Sequence, residues 1–132
     1  MQRFAKLVRT LLFLQTGLAL FVGYAYAAGL PMFSDGDAEA RKATAFLWGF
    51  AVLLFSAALR LPDDPRWIYP VVATVAFNLA DSAYELVAMG NRDFVPPLLL
   101  EAGLLLVYGP FALAVARGAV VRARAAGHGV AR

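Results

Sequence analysis

The sequence predicts an all-α protein, a four-transmembrane-helix bundle in up-down-up-down order with both termini in the cytoplasm. Three observations lead there. Of the 132 residues, 61% are hydrophobic and 16% charged, against roughly 45–50% and about 25% in soluble domains. A folded chain this short exposes much of its surface, and so few polar residues could not cover that surface in water. The apolar residues also collect into four stretches long enough to cross a bilayer, which takes about 20 residues of helix rising about 1.5 Å each. Finally, lysine and arginine sit at the ends of those stretches, where membrane topology uses them. The length suits a single integral membrane domain, residues 1–132.

Span one covers about residues 7–30, from Leu7 to Leu30, and Pro31 stops it. Its basic start, Met1–Arg9, and its small residues at Ala25–Ala28 resemble a signal peptide. The apolar stretch exceeds the usual core of about 7–15 residues, so it reads as a span that is retained. Ala19, Gly23 and Ala27 recur every four residues, a spacing that lets helix backbones approach closely in lipid. Packing inside the bundle is the expected use, and a dimer contact is the alternative. The connection from Pro31 to Lys42 is the longest, and its Ser34-Asp35-Gly36-Asp37 reads as a turn leading into a helix N-terminus. Span two, about residues 43–61, closes at Pro62 and the pair Asp63–Asp64. Span three, about residues 67–89, opens on Trp67, Ile68 and Tyr69. A tight Gly90-Asn91-Arg92-Asp93 turn leads to span four, about residues 94–116, with Pro96 and Pro97 in its first turn, where a missing N–H costs little. A basic cytoplasmic tail, residues 117–132, follows as a topology determinant and a contact for anionic lipids or a docking protein. The halves share no internal repeat.

Orientation follows from the cations. Arg3, Lys6, Arg9, Arg60, Arg66, Arg117, Arg122, Arg124 and Arg132 fall on one side, and only Arg41, Lys42 and Arg92 on the other. That bias places both termini inside a cell inner (plasma) membrane of bacterial type. Trp67 and Tyr69 then serve as anchors at the inner interface. Membrane lipids are the first expected partners, followed by a protein partner in the membrane or a homo-oligomer.

The inventory excludes several chemistries. Without cysteine there is no disulfide, thiolate metal site or thiol redox chemistry. The single histidine, His128, lies in the tail, so no histidine-based metal or haem site is expected inside the membrane. Neither a metal nor an organic cofactor is implied. Nucleic acid is not an expected partner, because the net charge of +3 is spread over span ends and forms no basic face.

The informative residues lie in span three. With Asn78 taken as zero and 100° per residue, Thr74 falls near about −40°, Asp81 near −60°, Ser82 near +40° and Glu85 near −20°. The five form one polar stripe on an apolar helix. Span four adds Glu101, with Tyr108 seven residues later on the same face. By the rise per residue, Asp81, Glu85 and Glu101 lie about 12, 6 and 10 Å from the outer ends of their spans. The tight turn makes the two spans neighbours, so the three carboxyls are expected to converge in the outer half of the bilayer. Tyr24 and Tyr26 of span one reach a similar depth, completing a cup open to the outside. A carboxylate in the bilayer core costs about 2.5–3.5 kcal/mol on insertion scales, so it faces the bundle interior with a partner or a purpose. The purely structural alternative is interhelical hydrogen bonding that fixes packing. Glu85 has a simpler use as well, reaching the outer headgroups beside Arg92.

Three functions fit. The acidic cup binds or transports a small lipophilic or cationic molecule, or protons, with Asn78, Asp81, Ser82, Glu85, Glu101, Tyr24, Tyr26 and Tyr108 as ligand-binding residues. Alternatively, the chain is an accessory or assembly subunit of a larger membrane complex. In a third reading it is a lipid- or isoprenoid-modifying enzyme, with Asp81 and Glu101 as a catalytic acid–base pair.

The arrangement of Met1–Arg9, Gly29-Leu30-Pro31, Arg60-Leu61-Pro62-Asp63 and the basic tail resembles the small bacterial four-span proteins of the DoxX-like kind. The likeness covers most of the chain and rests on architecture. It implies the four-span fold and no particular chemistry. A fainter likeness joins the chain to sterol-isomerase and sigma-2-receptor-like membrane proteins, whose acidic residues surround a lipophilic amine or sterol; no site residue carries over. Small multidrug transporters place their key glutamate in the first span, which here holds no acid.

Because the chain lacks cysteine, single-cysteine scanning reads its topology directly. Cysteines placed at Ser34 and Asn91 are expected to react with a membrane-impermeant maleimide added to intact cells, and cysteines at Gln2 and Ala131 only after permeabilisation. Labelling of Gln2→Cys and Asn91→Cys from the same side would overturn the assigned orientation.

Overall fold

The computed structural model describes the backbone of residues 2–30 and 38–129 and the side chains of residues 2–30 and 40–119. Within them four helices form: α1 (Gln2–Ala27), α2 (Ala38–Arg60), α3 (Ile68–Val87) and α4 (Val95–Gly129). Short 3-10 turns, Pro65–Trp67 and Arg92–Phe94, lead into α3 and α4. No strand occurs among the described residues. The expected stop at Pro31, the turn at Ser34–Asp37 and the side chains of Arg122, Arg124, His128 and Arg132 lie outside the described residues.

Among the described residues, three helices are long and apolar enough to cross a membrane: Gln2–Ala27, Ala40–Arg60 and Arg92–Ala119. The sequence reading expected four such spans. Helix α3 has 20 residues, about 30 Å, which is sufficient length. What sets it apart is the polar stripe, since Asn78, Asp81, Ser82 and Glu85 fall within its last ten residues. Boundaries also differ from expectation, α2 starting at Ala38 rather than about Ala43. Helix α1 starts near Gln2 rather than Leu7, and α4 continues to Gly129 rather than fading near Ala116. Alanine and arginine are strong helix formers, and no proline follows Pro110, so nothing past the span stops α4. Pro110 itself lies inside α4. It leaves one backbone carbonyl without its helical donor, a defect that membrane helices tolerate.

The chain divides into two compact units, residues 1–63 and 64–132. The first is an antiparallel pair of α1 and α2. Arg9 Nε donates to Ala58 O at 3.0 Å, the Phe13 and Phe55 rings meet edge to face at 5.9 Å, and Trp48 Nε1 points at Leu20 O at 3.4 Å. Each step up α1 is thus a step back along α2. Ala58 is in the last turn of α2, where carbonyls lack helical donors, so the Arg9 guanidinium caps that end and complements its dipole. Arg9 also lies over the Phe13 ring, 5.6 Å from its centroid.

The closest approach in this unit is at Gly23. Thr44 Oγ1 lies 2.9 Å from both Gly23 O and Ala40 O, and its one proton serves the two. A methyl at Gly23 would fall 2.6 Å from Trp48 Cδ1 and Nε1. Ala19 and Gly23 are buried and Ala27 is exposed, so the first two small residues pack within the pair. Gly29 ends α1 with φ of 61°, a left-handed conformation that glycine adopts without penalty. There Leu30 N–H donates to Ala25 O at 3.0 Å and Gly29 N–H to Tyr26 O at 3.2 Å, the pairing of a Schellman motif.

In the second unit α3 and α4 pair through the turn at Gly90, where φ is 67° and Asn91 N–H reaches back to Glu85 O at 3.0 Å. Asp64 and Asn91 open the two 3-10 turns in the same way, with Asp64 Oδ1 accepting from Arg66 N–H at 3.1 Å and Asn91 Oδ1 from Asp93 N–H at 3.2 Å. A long ion pair, Arg66 Nε to Asp64 Oδ1 at 3.3 Å, is exposed and contributes little.

Gly23→Ala is expected to destabilise the first unit by about 1–3 kcal/mol, because Trp48 has to move and give up Leu20. Gly17→Ala, where nothing lies within 4 Å, is expected to be neutral or slightly stabilising. Thermal unfolding of both variants in detergent, followed by tryptophan fluorescence, checks the difference.

Candidate functional site

The face of α3 that is buried is fixed by Ile68, Val71, Val75 and Ser82. On the scale that sets Asn78 to zero, these fall near about +80°, +20°, +60° and +40°. The buried face therefore centres near +50°, while Thr74, Asn78, Asp81 and Glu85 lie between 0° and about −60°. The polar stripe is turned off the packed face by close to a quarter of a revolution, and only Ser82 sits on both.

Ser82 makes the contact that follows from this. It is 4% exposed, and its Oγ donates to Glu101 Oε2 at 3.0 Å. Ser82 lies five residues before the end of α3 and Glu101 six after the start of α4. The two helices leave the Gly90 turn together, so equal distances from it bring these residues to one depth. Glu101 is half-buried and lies at the edge of the face that buries Leu104, Tyr108, Phe111, Ala112 and Val115.

The remaining expected residues separate. Asp81 is exposed on the far edge of the stripe, and Asn78 and Glu85 are half-buried between. Thr74 bonds its own helix, Oγ1 to Pro70 O at 2.9 Å. Among the described residues Glu85 forms no ion pair with Arg92. Tyr108 is fully buried. Seven residues beyond Glu101, it lies about 10 Å further along α4, so the pair shares a face but not a contact position. Tyr24 and Tyr26 belong to α1 in the first unit, Tyr24 exposed and Tyr26 half-buried. Thus the second unit joins Ser82 to Glu101 and leaves Asp81 on the exposed edge of the stripe, with Asn78 and Glu85 a turn to either side along α3.

Two residues outside the expected set take their place beside Asp81. Phe77 is 70% exposed and Tyr84 61% exposed. Both stand on the outer side of Asp81, four residues before it and three after, near about −100° and −120°. Their spacing of seven residues was readable, but without knowing the buried face of α3 they look like ordinary lipid-facing aromatics. Among the described residues, no group of three or more acidic, histidine or cysteine side chains is arranged to hold a metal ion. What the site offers is a carboxylate between two rings on an open face, backed by a second carboxylate that a buried hydroxyl holds in place.

No protein-family model, no curated protein and no solved structure matches this chain.

The Ser82–Glu101 bond is expected to contribute about 0.6 kcal/mol, the average for interhelical polar pairs in a bilayer, rather than the 1.5–3 kcal/mol of a charged bond in water. A double-mutant cycle of Ser82→Ala and Glu101→Gln, read by unfolding from lipid bicelles, measures that coupling. Additive losses would show that the two side chains do not interact.

Proposed function

We propose that the chain is a four-span membrane protein, with both termini inside, that uses the outer half of α3 to hold a small lipophilic cation, or to pass protons, from the outer side. The observation that carries this reading is Asp81, an exposed carboxylate flanked on one helix face by Phe77 and Tyr84. In lipid an exposed carboxylate costs about 2.5–3.5 kcal/mol, a cost that a bound cation offsets. Aromatic faces a turn above and below add about 0.5–2 kcal/mol each to a cation that is itself desolvated. Glu101 supplies a second carboxyl group, positioned by Ser82. Three apolar helices are compatible with an integral membrane protein, and α3 crosses as the fourth span by virtue of its length, its polar stripe being what the cation or protons use.

A second reading keeps the same observation and changes the occupant. As an accessory or assembly subunit, the chain would cover Asp81 with a cationic or hydrogen-bonding side chain of a partner. The enzyme reading is not adopted, because Glu101 accepts from Ser82 while Asp81 lies on the other edge of the stripe. A DoxX-like relationship would agree with the four-span arrangement and carries no activity to this chain.

In nanodiscs the chain is expected to bind tetraphenylphosphonium saturably. Asp81→Asn is expected to abolish that binding, and Phe77→Ala or Tyr84→Ala to weaken it about 2- to 30-fold each. Unchanged binding in Asp81→Asn would defeat the ligand reading. Stable co-purification of a protein partner that Asp81→Asn releases would favour the subunit reading instead.

A further inference from the structure

The helix that carries Glu101 does not stop where its span does. Helix α4 has 35 residues, about 52 Å of rise against a hydrocarbon core of about 30 Å. The sequence expects the span to fade near Ala116, and the helix runs on to Gly129. From Arg117 to Gly129 the sequence places Arg117, Arg122 and Arg124 and no acidic residue. Arg117 is exposed.

Helical continuity changes what a basic segment can meet. A flexible tail could carry its charges far from the bilayer. A helix continuing from a span holds Arg117 at its mouth, with Arg122 and Arg124 about 7 and 10 Å further along the axis. At physiological ionic strength the screening length is about 8 Å, so all three stand within or close to the field of the headgroups.

We propose that the part of α4 from Arg117 to Gly129 is a helical basic segment that gathers anionic phospholipid headgroups at the membrane surface where α4 emerges. The argument does not use the Asp81 site and does not depend on which side of the membrane α4 leaves. Each cation near an anionic surface favours it by a factor of about five.

The full-length chain in nanodiscs of phosphatidylcholine mixed with phosphatidylglycerol, analysed by native mass spectrometry, tests the proposal. The parent chain is expected to retain phosphatidylglycerol in preference to phosphatidylcholine. The preference is expected to fall about fivefold for each of Arg117→Gln, Arg122→Gln and Arg124→Gln, and to survive the three corresponding lysine substitutions. Circular dichroism checks that the variants keep their helix content. A parent chain without headgroup preference, or a triple glutamine variant that keeps it, overturns the proposal. Loss of the preference in the lysine variant overturns the charge mechanism. Capture of a soluble acidic protein or nucleic acid by the parent in phosphatidylcholine alone, undiminished by phosphatidylglycerol, assigns the segment to that partner instead.

Discussion

A hydroxyl, indole or guanidinium N–H surrounded by hydrocarbon has to find an acceptor, because leaving a polar group unpaired there costs several kcal/mol. The nearest acceptors on a helix are its own carbonyls, and this chain uses them repeatedly. Thr10, Thr16 and Thr74 each donate to the carbonyl four residues back, and Thr44 divides its proton between that carbonyl and Gly23. Trp48 and Arg9 extend the same solution across the α1–α2 pair, ending on Leu20 and Ala58. The result is that these hydroxyl, indole and guanidinium groups are absorbed by backbone carbonyls. Ser82 departs from the pattern. Its hydroxyl passes over the carbonyl of Asn78 and reaches a carboxylate on the next helix. That departure links α3 to α4 at a depth the Gly90 turn sets, and turns Glu101 into a positioned group.

Three of the four helices were legible from length and apolarity, α3 needed its flanking proline and glycine as well, and proline and glycine mark where the helices change. Gly29 and Gly90 are both left-handed turn positions, and the sequence places each just past an apolar run. Arg9 was legible only as a charge that sets orientation. Its role as a cap for α2 depends on the pairing register, which no local pattern in either helix declares. Similarly, the small-residue row suggested close packing at Gly23, yet nothing in it named Trp48 as the ring that fills the gap.

The polar stripe was visible as a stripe and misleading as a direction. A helical wheel shows which residues share a face and cannot show which face is covered. Ile68, Val71 and Val75 decide that, and they point toward the edge of the stripe that holds Ser82 rather than its middle. The three carboxyls accordingly have different settings. One is held by a serine, one stands at the open edge, and Glu85 lies a turn nearer the connection. The extent of α4 was equally hidden, since an arginine-rich segment after a span reads as a tail unless its alanines are counted as helix formers.

The placement of the two tryptophans gives each unit its own optical reporter. Trp48 leans on Gly23 in the first unit, and Trp67 closes the 3-10 turn that begins the second. Replacing either one by phenylalanine leaves a single indole whose emission follows only its own helical pair. Comparing the two single-indole proteins shows whether the pairs lose structure in one transition or two, and so whether the molecule behaves as one cooperative body or as two hairpins on a common chain.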